Sequence, residues 1–77
     1  MLSRTRFTEI VAKNVKKYRT RKGISQEELA ARAGFYRSYI NLLETARRSP
    51  SAYTLHRVAN ALRVKISELY PTVKELL

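Results

Sequence analysis

Ile24-Ser25-Gln26-Glu27-Glu28-Leu29-Ala30-Ala31-Arg32-Ala33-Gly34, continued by Phe35-Tyr36-Arg37-Ser38-Tyr39-Ile40-Asn41-Leu42-Leu43-Glu44, has the pattern of two short helices separated by a glycine turn. Ser25 with Glu28 three residues on fits a capping box, in which each side chain satisfies an orphan backbone N–H at the helix start. Leu29, Ala30 and Ala33 share one face, and the alanines are small enough for another helix to approach closely. Gly34 stands where a helix ends on a left-handed residue. The second helix is predicted from about Arg37, with Ile40 and Leu43 facing inward and Arg37, Ser38 and Asn41 facing out. The outward set consists of side chains that hydrogen-bond bases and phosphates.

The whole chain is strongly basic. Its 77 residues carry 16 Lys and Arg against 6 Asp and Glu, a formal net charge of +10, and so short a chain with such a charge attracts polyanions. The length suits one domain, near the lower limit at which a core suffices without metals or disulfides, so help from a partner subunit is plausible. Without cysteine there is neither a disulfide framework nor a thiolate zinc site. The lone His56 has no neighbours of its own kind and reads as an ordinary helix residue. No metal, cofactor or catalytic residue is therefore expected: there is no paired-carboxylate metal spacing, no Cys or His nucleophile system and no Gly-rich phosphate loop. No apolar run approaches the ~18 residues of a membrane span, and no signal-peptide pattern is present. A soluble, cytoplasmic protein is the expectation.

Around the central motif, residues 1–6 read as a flexible basic arm, with Arg4 and Arg6 available to a DNA backbone or groove, or as a disordered tail. Residues 7–77 read as the folded domain. Phe7, Val11, Val15 and Tyr18, with Ile10 beside them, predict a first helix to Lys22, whose other face carries Lys13, Lys16, Lys17 and Arg21. After a polar, basic loop from Thr45 to Pro50, Ser51 is a natural cap for a fourth helix in which Leu55, Val58, Ala59 and Leu62 form an apolar stripe. Ser67 is expected to cap a fifth helix, with Pro71 in its first turn and Leu69, Tyr70, Val73, Leu76 and Leu77 along one side. That stretch is too short to enclose five apolar residues. Leu69 is assigned to the core, and Tyr70, Val73, Leu76 and Leu77 to a dimer interface.

From Phe7 to Tyr70 the chain resembles the Cro and phage-repressor helix-turn-helix family. The residues carrying the likeness are Val15-Lys16-Lys17-Tyr18-Arg19 with Lys22-Gly23, Ser25 to Ala30, Ile40 to Glu44, Arg48-Ser49-Pro50-Ser51 with Thr54-Leu55, then Ala59, Ala61-Leu62 and Ser67-Glu68-Leu69. Within that family, Arg37-Ser38-Tyr39-Ile40 is similar to the start of the recognition helix in the small controller proteins of restriction–modification systems. The resemblance implies an all-α, compact five-helix domain of the lambda-repressor-like kind. It also implies that the second motif helix enters the major groove of an operator in double-stranded DNA.

Mapped onto this sequence, the base-contacting candidates are Tyr36, Arg37, Ser38, Asn41 and Leu42. Arg37 leads, because a guanidinium can grip guanine O6 and N7 together; the alternative for it is a phosphate clamp. Leu42 suits either a thymine methyl or the core. Gln26, Thr45, Arg47 and Arg48 are the backbone-contacting candidates, positioning the protein without reading sequence. Glu44 ends its helix where the dipole disfavours a carboxylate, so a compensating cation is expected, and the family pattern makes that cation Arg19. Three departures stand out. Ala46 and Arg63 occupy positions where glycine often ends a helix, which implies a loop after the third helix unlike the family's, and Tyr36 replaces a capping Ser, Thr or Asp.

The function so implied is a non-enzymatic, sequence-specific transcription regulator. It would act as a homodimer on a palindromic operator, controlling restriction–modification genes or its own promoter, and an activator of this kind would also meet RNA polymerase. The alternative is an antitoxin-type protein-interaction module with autoregulatory DNA binding. An antitoxin usually needs a toxin-binding extension, and no long extra segment is seen.

Overall fold

Helix formation begins earlier than the apolar periodicity suggests. In the computed structural model, which describes residues 3–76 and side chains as far as Glu75, Ser3 caps α1 (Arg4–Arg21) by accepting a 3.0 Å bond from the Arg6 N–H. Arg4, Thr5 and Arg6 are thus its first turn rather than part of an arm, because a capping serine can start a helix ahead of its first buried residue. α1 buries Thr8, Ile10, Val11, Ala12 and Val15, and leaves Phe7 and Tyr18 half-buried at the margin of the core.

Next come α2 (Gln26–Ala33), α3 (Arg37–Glu44), α4 (Ala52–Leu62), a 3-10 turn (Ile66–Glu68) and α5 (Val73–Leu76). Ser25 accepts from the Glu28 N–H at 3.0 Å, but the Glu28 carboxylate pairs with Arg32 one turn further on instead of completing the box. Ser51 caps α4 through the Thr54 N–H at 3.1 Å. Val11, Val15, Leu29, Ile40, Leu43, Leu55, Val58, Leu62 and Leu69 fill the middle, each at most 2% exposed. Burying each such side chain contributes roughly 1.5–3 kcal/mol before entropy is counted.

The expected fifth helix from Ser67 does not form as one piece. Pro71 lacks an N–H and keeps Tyr70 out of the helical region, so the chain makes the short 3-10 turn and starts again at Thr72. There the full capping box appears: the Thr72 N–H donates to Glu75 Oε1 at 2.9 Å, and the Glu75 N–H donates to Thr72 Oγ1 at 3.3 Å. The Thr72 N–H bond also holds the Glu75 carboxyl below its ordinary range. This cap therefore strengthens above the ordinary carboxylate pKa and fails as pH falls through the lowered one. Leu69 is fully buried, pinned by a 3.1 Å bond from Asn14 Nδ2 to its carbonyl. Val73 is 75% exposed, and Tyr70 is half-buried, its ring centroid 6.0 Å from that of Phe7. The Leu76 side chain and Leu77, both assigned to an interface, lie outside the described residues.

Four residues at helix ends lie in the left-handed region: Gly23 at φ 71°, Gly34 at φ 78°, Ala46 at φ 60° and Arg63 at φ 58°. The loop after α3 thus takes the turn that glycine usually makes, in spite of Ala46, contrary to the expectation that it would differ. At Gly34 a Cβ would also crowd the Arg57 guanidinium, which would have to give way. Gly34→Ala should lower stability by about 1–2 kcal/mol, whereas Arg63→Gly should raise it by about 0.5–1 kcal/mol, as left-handed strain outweighs the chain entropy of glycine. Urea denaturation followed by circular dichroism reads both signs.

Candidate nucleic-acid interface

An exposed face of α3 meets a buried one along the same eight residues. Ile40 and Leu43 are buried, Leu42 is half-buried, and Arg37, Ser38 and Asn41 are exposed. Tyr36 occupies the N-cap position with extended backbone, and its side chain makes no capping bond. The tyrosine is 84% exposed, free to reach outward. Behind it the Phe35 and Tyr39 rings pack with centroids 4.9 Å apart, and the Tyr39 hydroxyl donates to Thr54 Oγ1 at 3.4 Å. These contacts set the start of α3 against α4.

At the other end of α3, Glu44 anchors a network whose centre is almost dry. Its side chain is 2% exposed, and that of Arg19 is 14% exposed. Arg19 Nε donates to Glu44 Oε2 at 2.6 Å and Nη2 to Oε1 at 3.0 Å, while Nη1 donates to the Ile24 carbonyl at 2.8 Å. Glu44 Oε1 also accepts from Gln26 Nε2 at 3.1 Å, and Gln26 Oε1 accepts from Asn41 Nδ2 at 3.4 Å. One carboxylate therefore ties together the end of α1, the start of α2 and the last turn of α3. The bonds to Glu44 raise the Arg19 pKa above its ordinary value. Its charge, and its share of the pair's stabilisation, is thus present at all pH below that value and is lost only as pH rises beyond it.

This network changes what the backbone-contacting candidates can offer. Gln26 has one amide hydrogen on Glu44 and its carbonyl on Asn41, leaving a second amide hydrogen and the first-turn backbone N–H groups for an anion. The Thr45 hydroxyl donates to the Asn41 carbonyl at 2.8 Å, so its hydrogen is spent within α3. Arg47 and Arg48 are exposed in the following loop, and both have backbone N–H groups bonded back to the Leu42 carbonyl, at 3.0 and 3.3 Å. His56 is exposed on α4. Among the described residues no group of His, Cys, Asp or Glu could hold a metal ion, and no helix is long and apolar enough to cross a membrane.

Sequence reasoning passed over Arg57. From α4 its Nε donates to the Ala33 carbonyl at 2.8 Å, closing the C-terminus of α2, and its Nη1 donates to the Tyr53 hydroxyl at 2.9 Å. The guanidinium also lies 5.4 Å from the Phe35 ring centroid and 5.7 Å from that of Tyr53. An arginine beside an apolar stripe reads as solvated charge. Nothing in the spacing of Arg57 says that it crosses to a glycine turn 23 residues earlier.

The helix-turn-helix family model matches residues 15–69. The chain belongs to the helix-turn-helix family. It is a transcriptional regulator of that type, 40% identical over 67 residues to the uncharacterized HTH-type transcriptional regulator y4dJ of Sinorhizobium fredii, with 87% of each chain covered. It is also 39% identical over 61 residues to the control protein C.SmaI of Serratia marcescens, covering 79% of this chain and 73% of that one. Among solved structures, the restriction-modification controller protein C.AhdI from Aeromonas hydrophila matches it with a TM-score of 0.79 at 33% identity, over 82% of this chain and 96% of that one. The likeness first visible in Arg37-Ser38-Tyr39-Ile40 thus extends through the domain.

Removing the carboxylate should show how much the helix-turn-helix depends on it. Glu44→Ala leaves Arg19 buried without its partner and is expected to cost about 2–3 kcal/mol in urea denaturation. Arg19→Lys keeps the charge but loses the two-pronged grip, and should cost about 1–2 kcal/mol.

Proposed function

We propose that this regulator binds duplex DNA sequence-specifically as a homodimer on a palindromic operator, without enzymatic activity, and that it governs restriction–modification genes or its own promoter. The observation that carries the reading is the exposed row of Arg37, Ser38 and Asn41 on a helix whose opposite face is sealed by Ile40 and Leu43. An α-helix with such a face fits the major groove. Arg37 reads a guanine, with Tyr36, Ser38, Asn41 and Leu42 beside it. Arg47 and Arg48 hold phosphates, and the start of α2 at Gln26 holds another. Thr45 contributes position rather than a donated hydrogen bond. Similarity to a restriction–modification control protein in sequence, and to another in structure, supports the narrower assignment to that class.

Pairing of subunits is assigned to the C-terminal segment, supported by Val73 at 75% exposure beside half-buried Tyr70, with Leu76 and Leu77 following in the sequence. A two-fold dimer would present its two recognition helices ~34–36 Å apart, one turn of DNA. Sedimentation equilibrium at micromolar concentration should show a dimer that Val73→Asp dissociates. A monomer unaffected by the substitution would remove this interface.

Selection of bound duplexes from a random library tests the reading itself. A palindromic consensus should emerge, and Arg37→Ala should weaken binding to it by roughly 1–3 kcal/mol while flattening preference at one base pair per half-site. Replacing Arg47 or Arg48 should instead weaken all sequences alike and lower the salt slope by about one per contact. Equal loss on consensus and random DNA for Arg37→Ala would make Arg37 a backbone clamp.

A further inference from the structure

The first turn of α1 runs against the usual electrostatics of a helix. It carries Arg4 and Arg6 and no acidic residue, although cations are disfavoured at the positive end of the dipole. With Thr5 and Thr8, Arg4 lines a shallow, open depression of about 260 Å³ that Ala46, Arg47 and Ser49, from the loop directly after α3, also line. Two arginines more than forty residues apart in sequence thus border one depression. Among the described residues the ion pairs are Arg19–Glu44 and Arg32–Glu28, so neither Arg4 nor Arg47 has a carboxylate partner. The Thr8 hydroxyl donates to the Arg4 carbonyl at 2.9 Å, bracing the turn rather than facing a ligand. Thr5 and Ser49 supply the neutral hydroxyls of the depression.

We infer that Arg4 and Arg47 close from two sides on a single backbone phosphate of bound duplex DNA, with Thr5 and Ser49 as its neutral hydrogen-bond donors. The inference rests on the DNA-binding reading above and deepens it. The phosphate held here lies beside the end of the recognition helix, because Arg47 follows the left-handed Ala46 that closes α3. A phosphodiester is the anion that fits: it meets two guanidinium groups and accepts the positive end of α1 as well. The clamp carries no base information, so it fixes the angle at which α3 enters the groove.

The test measures affinity for a library-selected duplex and for a random-sequence duplex across a series of salt concentrations. It compares the full chain with Arg4→Ala, Arg47→Ala, the double variant and Arg4→Lys. Each alanine variant should bind both duplexes roughly threefold to tenfold more weakly at low salt, and the slope of log affinity against log salt should fall by less than one per bound subunit, because the other arginine still neutralises the phosphate. The double variant should lower the slope by about one per bound subunit and not by two, since both arginines serve one phosphate. Arg4→Lys should retain most of the slope. Melting of Arg4→Ala no lower than that of the unchanged chain separates lost binding from lost folding, because removing a cation from a helix start does not destabilise it. Unchanged affinity and slope for Arg4→Ala, with loss still seen for Arg37→Ala, would overturn the clamp and leave the DNA-binding reading standing. A slope change of about two per bound subunit in the double variant would overturn the shared phosphate. Absence of binding to any duplex by the unchanged chain would remove both.

Discussion

A carboxylate at the C-terminal end of a helix faces the partial negative charge of the last carbonyls, and Glu44 does so with its side chain 2% exposed. Left alone, such a buried charge would carry an uncompensated desolvation cost. The Arg19 fork makes the position tolerable, and by doing so it fixes three helices at once: Arg19 belongs to α1, its third donor holds the Ile24 carbonyl ahead of α2, and Gln26 of α2 shares the same carboxylate oxygen. A pair of this kind is weak as a source of net stability and strong as a constraint, since only one arrangement satisfies all its donors. The orientation of α3 on the domain, and with it the whole exposed row of the candidate interface, depends on that one arrangement.

A second constraint acts at the opposite end of α3. Arg57 closes α2 at the Ala33 carbonyl and lies along Phe35, so the turn between the two motif helices is clasped from α4. Gly34 is favoured there for its backbone angle, and a side chain at that position would displace the guanidinium. Glu44 thus ties the end of α3, and the Arg57 clasp holds the turn just before its start. Such preorganisation keeps the cost of ordering low when a recognition helix docks.

Much of the fold was legible in the residues. The stripe of Leu55, Val58, Ala59 and Leu62, the capping serines at 25 and 51, and the glycine at 34 specify local structure through periodicity and through groups that act within four residues. The exposed and buried faces of α3 followed from the same spacing, whereas the full set of candidate reading residues came from the family resemblance. Ala46 and Arg63 stand where glycine is usual, and the chain nevertheless adopts the left-handed turns there, because burying Leu43 and Leu62 just before them outweighs about a kilocalorie of strain.

What tertiary structure alone decided are matters of long-range competition. The start of α1 at Arg4, the break at Pro71 with a new cap at Thr72, and the diversion of the Thr45 hydrogen into α3 each involve a group with two possible local partners. Spacing does not say which partner wins. The Arg57 clasp, the Asn14 bond to Leu69 and the depression shared by Arg4 and Arg47 join residues 24, 55 and 43 positions apart. Periodicity carries no information over such distances, since it records only which face of an element is apolar. Sequence by itself therefore determined the first four helices and which sides they bury. The packed domain decided which polar groups meet, because hydrogen bonds need partners within about 3 Å and only the closed core sets those distances.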